Sequence, residues 1–193
     1  MTESLQLVRL LRSAIAAACA LVAAVSGSPA LVAASPAAVA SGHEPTAAKI
    51  DGQDVFVVGF DKLSAFDYTI VDAGTGATPD QIEAAKKRDP VPDWIQFYQD
   101  KRVLLTGYLM PLQVENGRSK KFVMMKDVTT CCYGAVPNMN DYVVVAMKGE
   151  GIAVIQDVPV ALVGVLHIEQ RYENGYITAL YQLSGEKFLG QKK

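Results

Sequence analysis

Cysteine is scarce in this 193-residue chain. Of three, Cys19 lies in an apolar N-terminal stretch, and Cys131 and Cys132 are immediate neighbours. No two are placed to staple distant segments, so a disulfide framework is excluded. Histidine is scarcer still, with only His43 and His167. Beyond residue 40 there is no Cys-x-x-Cys or His-x-x-x-His spacing. The chain also lacks a Gly-rich phosphate loop, a Gly-x-Ser-x-Gly elbow and a His-Glu-x-x-His helix, which removes nucleotide-cofactor and the commonest hydrolase readings. Charge of one sign is missing as well: 18 Lys and Arg face 20 Asp and Glu, a formal net charge of −2. Nothing global holds a polyphosphate backbone, and nucleic acid is excluded as a general partner.

What is abundant is apolar residue, 50% of the chain against 20% charged, too much for a disordered or fibrous protein. Part of it is a leader. Arg9 and Arg12 precede Ser13–Val25, an uncharged run of small and apolar residues. A basic start, a short apolar middle and small residues afterwards make a secretory signal peptide. Ser26, Gly27, Pro29, Ser35 and Pro36 make the continuation a poor membrane helix, for which about 18 or more apolar residues are wanted. Cleavage is expected after Ala40 or Ala34, each with a small or apolar residue two positions earlier. Cys19 loosely fits a lipidation box, but it follows Arg12 too closely, so lipoprotein processing is the lesser expectation. The mature chain is therefore expected in the periplasm, with no membrane span. Its formal charge becomes −3 once Glu3, Arg9 and Arg12 are lost.

Three regions follow: a leader over 1–40, an N-terminal extension over 41–98 and a β domain over 99–190, the last two as one compact unit. In the extension, Gly42–Ala48 reads as a polar lead-in, Val55–Val58 as a strand and Phe66–Val71 as a second extended piece. Ala73–Thr78 is a loop by composition. Thr78-Pro79-Asp80 opens a helix with an N-cap, a proline where its missing N–H costs nothing and an acid at the positive end. Lys86, Lys87 and Arg88 suit its far end and Asp89-Pro90 stops it. Pro92–Tyr98 predicts one or two further helical turns, anchored by Trp94.

From Lys101 the pattern changes to strands: Lys101–Gln113, Lys120–Lys126, Asp141–Lys148, Pro159–Arg171 and Tyr176–Leu183. Asn116-Gly117 and Asn174-Gly175 are tight-turn signals. Gly107 and Gly164 fall inside strands, where glycine marks bulges or bends. The fold expected is mainly β with short helices, a small five-stranded barrel of the oligonucleotide/oligosaccharide-binding (OB) type. An open antiparallel sheet with packed helices is the alternative.

The candidate site centres on Thr129–Asp141, which carries the adjacent Cys131 and Cys132. Four states are open to the pair: reduced buried thiols packing as small hydrophobes, a vicinal disulfide, an intermolecular bridge, or a soft-metal site. The first is the plainest. Cys131, Cys132 and His167 would supply three protein ligands, the number an open zinc or copper site uses, and five methionines add thioethers. His167 ends an apolar alternating row on its strand, which suits a wall residue equally well. Asn138 and Asn140 read first as turn residues feeding the next strand, and second as a polar rim beside Tyr133. Lys120, Lys121 and Lys126 read as solvated hairpin lysines.

Gly107–Leu112, Phe122–Met125, Cys131-Cys132-Tyr133-Gly134, Pro137–Asp141 and Val143–Met147 together resemble a family of exported bacterial proteins known as a domain of unknown function. Its members carry a Gly-Tyr-Met-Pro-Leu-like strand, a Cys-Cys-(Phe/Tyr)-Gly segment and an Asn-(Glu/Asp)-x-Val strand. The resemblance spans about residues 50 to 190; Leu109 before Met110 and Ala135-Val136 before Pro137 depart from it. It implies an exported start, a small β domain and an envelope setting near a transport system, and it centres attention on Cys131 and Cys132. The function expected is a non-enzymatic envelope binding or accessory protein of unknown ligand. A soft-metal (Cu or Zn) protein and a thiol redox protein are the alternatives.

Overall fold

The computed structural model describes residues 44–88, 90–129, 136–155 and 157–192, and Ala40–Lys193 forms one compact unit. Among the described residues there are nine strands and three short helices: β1 Thr46–Ile50, β2 Gln53–Val58, α1 Phe60–Leu63, α2 Pro79–Lys86, α3 Asp93–Gln96, β3 Lys101–Pro111, β4 Arg118–Ser119, β5 Lys121–Met125, β6 Tyr142–Met147, β7 Ile152–Ala153, β8 Pro159–Glu173 and β9 Tyr176–Gln191. None of these helices is long and apolar enough to cross a membrane.

The fold is mainly β, built on one large mixed sheet in the order β1-β2-β3-β5-β6-β9-β8, with β8 also paired to β3. Pairing is antiparallel except β2–β3 and β6–β9, which run parallel. The sheet is thus mixed, unlike the uniformly antiparallel sheet of the alternative reading. A parallel β6–β9 contact follows because β8 lies between them in sequence and pairs with both β9 and β3. β4 and β7 form a separate two-stranded sheet.

Three two-residue turns set the register of the hairpins. Asp51-Gly52, Asn116-Gly117 and Asn174-Gly175 all have positive φ at both positions, the backbone that matches strand twist. Asp51-Gly52 joins β1 to β2, so Thr46–Ile50 is a strand where a polar lead-in was expected. Phe66–Val71, expected to be extended, forms no strand. Its carbonyls are taken by side chains instead: Phe66 O accepts from Asn140 and Val71 O from Tyr172.

The core follows the period of two. In β3, Val103, Leu105 and Leu109 face inward; in β5, Phe122 and Met124; in β6, Val143 and Val145; all belong to one cluster. Phe60 and Leu63 of α1, Ile95 of α3 and the following Tyr98 join it. Tyr181 of β9 is fully buried and donates its hydroxyl to Leu63 O at 3.0 Å, tying sheet to helix. At the start of α2, Thr78 and Gln81 form the reciprocal capping box that Thr78-Pro79 signals. Asp89, expected to help stop that helix, lies outside the described residues.

Candidate functional site

The connection from β5 to β6 carries most of the sequence-predicted residues. Cys131, Cys132 and Tyr133 lie outside the described residues; the two ends of the connection do not. Lys126 N donates to Asp141 O at 3.0 Å, and Lys126 Nζ lies 3.7 Å from Asp141 Oδ1, pinching the base. Asn138 donates from Nδ2 and from its backbone N to Asp141 Oδ2 at 3.0 and 3.3 Å. It therefore shapes the turn, as short amide side chains do. Asn140 is only 3% exposed. Its Nδ2 donates to Phe66 O at 2.6 Å, and its carbonyl accepts from Ser64 Oγ at 3.0 Å. It latches the connection to the segment after α1 rather than facing outward. The Tyr142 hydroxyl reaches both Met139 Sδ at 2.8 Å and Thr178 O at 3.1 Å, and burial raises its pKa.

Beside this base lies a cleft with a topological cause. β2 pairs with β3 at Val103–Leu105, and β5 pairs with the same edge of β3 from Tyr108 onward. The opposite edge of β3 is taken by β8 from Lys101 to Tyr108. Thr106 and Gly107 therefore border a gap between β2 and β5. Phe60 fills its depth: a Cβ on Gly107 would sit 2.7 Å from the Phe60 ring and 2.8 Å from Met125 O. Only glycine fits there. What remains open is a cleft of about 470 Å³, within the size range of small-ligand sites. Val57, Leu104 and Thr106 line its floor, and Lys62, Lys126 and Lys192 stand around it with Asp61. Lys62 Nζ is held by Glu44 O at 2.8 Å, and Lys192 N donates to Pro159 O at 2.8 Å, which fixes its place at the rim.

His167 is elsewhere. On β8 it alternates with the inward Leu166 and Ile168, so it faces out. Laterally it follows Gln182 of β9 and Val144 of β6. Two strand spacings and three residues of β6 separate it from Asp141, on the order of 10–14 Å. Both ring nitrogens are engaged: Nδ1 lies 2.7 Å from Asp100 Oδ1 and Nε2 lies 3.0 Å from Ser184 Oγ. A metal would have to displace one of these bonds. Among the described residues no group of three His, Cys, Asp or Glu side chains could hold a metal ion.

Sequence reasoning missed the cleft, whose lysines come from α1, from the residue after β5 and from the C-terminal end. It also missed Asp100 and Ser184, which the β3–β8 and β8–β9 registers bring to His167.

The family described as "Protein of unknown function (DUF3299)" matches residues 69–189, a span that includes the β5–β6 connection. No curated protein matches the chain. Among solved structures, the crystal structure of a DUF3299 family protein from Pseudomonas aeruginosa is similar at 16% identity and a TM-score of 0.47, covering 71% of this chain and 95% of that one.

Proposed function

Because this chain belongs to the DUF3299 family of proteins of unknown function, its role has to be read from its own residues, and we propose that it is an exported cell-envelope binding protein that holds a small anionic ligand without turning it over. The leader read over residues 1–40 supports export. The observation that carries binding is the cleft between β2 and β5. Its floor is largely apolar and its rim carries three ammonium groups beside the Asp61 carboxylate, with Lys126 also 3.7 Å from Asp141. A ligand with a carboxylate or phosphate head and an apolar body suits that pattern, the body against Val57 and Leu104.

The strand pairings support a five-stranded OB-type barrel as the scaffold. They run from β3 through β5, β6, β9 and β8 and back to β3, with β6 parallel to β9. Barrels of that type bind on the face of their second and third strands, here β5 and β6. The cleft and the connection that bears Cys131 and Cys132 both meet at the end of β5, at Lys126.

The test uses the mature chain with decanoate and decyl phosphate as probes and decanol as the neutral control, read by titration calorimetry. The anionic probes should bind, and Lys126→Met with Lys192→Met should weaken them about tenfold while leaving the melting temperature in place. Equal binding of decanol, or no binding of either anion, would refute the reading. Intact mass of the exported protein tests the rest. A start at Ser41 or Ser35 supports export, and a retained leader or a lipid on Cys19 overturns it as described. Two alkylatable thiols on Cys131 and Cys132 fit a binding protein, whereas a two-hydrogen deficit or a metal-sized increment moves the assignment to redox or soft-metal chemistry.

A further inference from the structure

Asp100, His167 and Ser184 form a hydrogen-bonded chain across the outer faces of β8 and β9, and we propose that it makes Ser184 a base-activated nucleophile that accepts an acyl or phosphonyl group from an activated ester. An ionised carboxylate can only accept, so Asp100 Oδ1 at 2.7 Å places the imidazole hydrogen on Nδ1. Neutral His167 then presents Nε2 as an acceptor, 3.0 Å from Ser184 Oγ. A hydroxyl, a base within hydrogen-bond reach of it and a third group orienting that base are the parts an activated serine needs.

The backbone fixes all three. Asp100 has φ 56, a left-handed residue just before β3, and its N donates to Leu166 O at 2.8 Å. That bond sets the carboxylate beside the residue after Leu166, which is His167. Ser184 faces outward next to the inward Leu183 and lies laterally between Ala146 of β6 and Val165 of β8. Ala146 is exposed and Ser184 half-buried, so an ester can approach Oγ.

The same placement limits the chemistry. With a paired strand on each side, the Ser184 N–H points into a ladder and is not free to hold an oxyanion. The nearby cations, Arg102 and Lys148, are both drawn to Glu186, at 2.8 and 3.4 Å. Removing one oxyanion donor from an enzyme that has them costs about 10²–10³ in rate. Ser184 is therefore expected to form its adduct and release it slowly. With a fluorophosphonate, Oγ forms the O–P bond, the P–F bond breaks, fluoride leaves with the electron pair and Nε2 takes the serine proton. With an aryl acetate, Oγ bonds the acyl carbon and the departing aryloxide takes that proton up.

The experiment treats the full-length exported chain with a fluorophosphonate and follows intact mass with peptide mapping. One adduct is expected on Ser184, absent in Ser184→Ala and formed about 100-fold more slowly in His167→Gln, the range of a lost general base. Asp100→Asn should slow labelling less, because that carboxylate is 65% exposed and its influence is screened by water. Asparagine tolerates the left-handed backbone at 100, so this variant decides if His167→Gln fails to fold. An unlabelled Ser184, or a wild-type rate in the folded base and orienting variants, overturns the proposal and leaves the chain as a staple between strands.

Discussion

Gly164→Ala should be among the most damaging one-carbon changes in the molecule. Gly164 sits in β8 at a register shift and pairs with Gly185 of β9 and Val103 of β3. An added Cβ would lie 2.5 Å from Ser184 O and 3.0 Å from both Gly185 Cα and the Ser184 carbonyl carbon. Carbon contacts are comfortable at about 3.5–4.0 Å, so the neighbouring backbone must retreat by about 1 Å. Strands are held about 4.8 Å apart by their ladder, and a retreat of that size lengthens the bonds around it. Overpacking costs about 1–3 kcal/mol, and a weakened ladder bond adds about 1 kcal/mol. A total near 3 kcal/mol lowers the melting temperature of a unit this size by about 6–12 °C. Gly185→Ala is the control, because its Cβ would meet the Met147 sulfur, at the end of a side chain that can swing aside. It should cost under about 1 kcal/mol. Thermal unfolding followed by circular dichroism, with urea midpoints at unchanged slope, checks both. Gly164→Ala melting within 2 °C of the wild type, or Gly185→Ala proving the worse of the two, would refute the reasoning.

Asn140→Ala should lower stability by about 1–3 kcal/mol, since it leaves Phe66 O without its 2.6 Å donor in a buried place; Asn138→Ala, at an exposed turn, should cost less than half as much, and urea denaturation ranks them. Tyr181→Phe should cost about 1 kcal/mol through the lost bond to Leu63 O. Burial pushes the Tyr181 phenol far above its ordinary value, and burial also raises Tyr142 and Tyr172. A raised folded-state pKa gives stability that is complete below about pH 10 and is lost as pH climbs through the folded values, so alkaline unfolding should accompany phenolate absorbance rather than follow it. Glu186 runs the other way: its bond from Arg102, helped by Lys148, holds its carboxyl below the usual value. That contribution is present above about pH 4.5 and fades as pH falls; Glu186→Gln should flatten the acid limb of a stability profile by about 0.2–1 kcal/mol, the range of a surface pair.

Strands were most legible where alternation and a turn dipeptide agreed. Lys101–Pro111, Lys121–Met125 and Tyr142–Met147 are close to their expected bounds because inward Val, Leu, Phe and Met recur at every second position. The end of β9 was not: Ser184-Gly185-Glu186-Lys187 looks like a loop, and only pairing with β8 and β6 holds it extended. β1 was missed although Asp51-Gly52 is a hairpin signal, because its residues are exposed and show no apolar alternation. Phe66–Val71 was misread because aromatic and β-branched residues also suit a coil whose carbonyls are bonded by distant side chains. In the candidate site, Asn138 could be read as a turn former from its spacing to Asp141. The inward course of Asn140 depends on Phe66, 74 positions away, and no local pattern encodes it.

β3 explains why the cleft and the serine chain coexist in so small a unit. One of its edges is divided between β2 and β5, and the division leaves the gap at Thr106 and Gly107. Its other edge pairs with β8 from Lys101 to Tyr108, and this places Val165 and His167 on the outer face beside Ser184. The outward residues of β3 then belong to different neighbourhoods: Leu104 and Thr106 line the cleft, and Arg102 reaches Glu186 on β9. Arg102 is also held by Gln53 of β2 at 2.7 Å. It therefore bridges the strand that walls the cleft to the strand that carries Ser184, while its charge is neutralised by Glu186. Sites more than about 7–10 Å apart with no shared partner behave independently. Ser184 pairs laterally with Val165 and Val165 with Arg102, so Ser184 and Leu104 are roughly 12 Å apart by strand spacing. Anion binding at the lysines and acylation at Ser184 are thus separable by mutation, with Arg102, bonded to both Gln53 and Glu186, a residue whose loss touches both neighbourhoods.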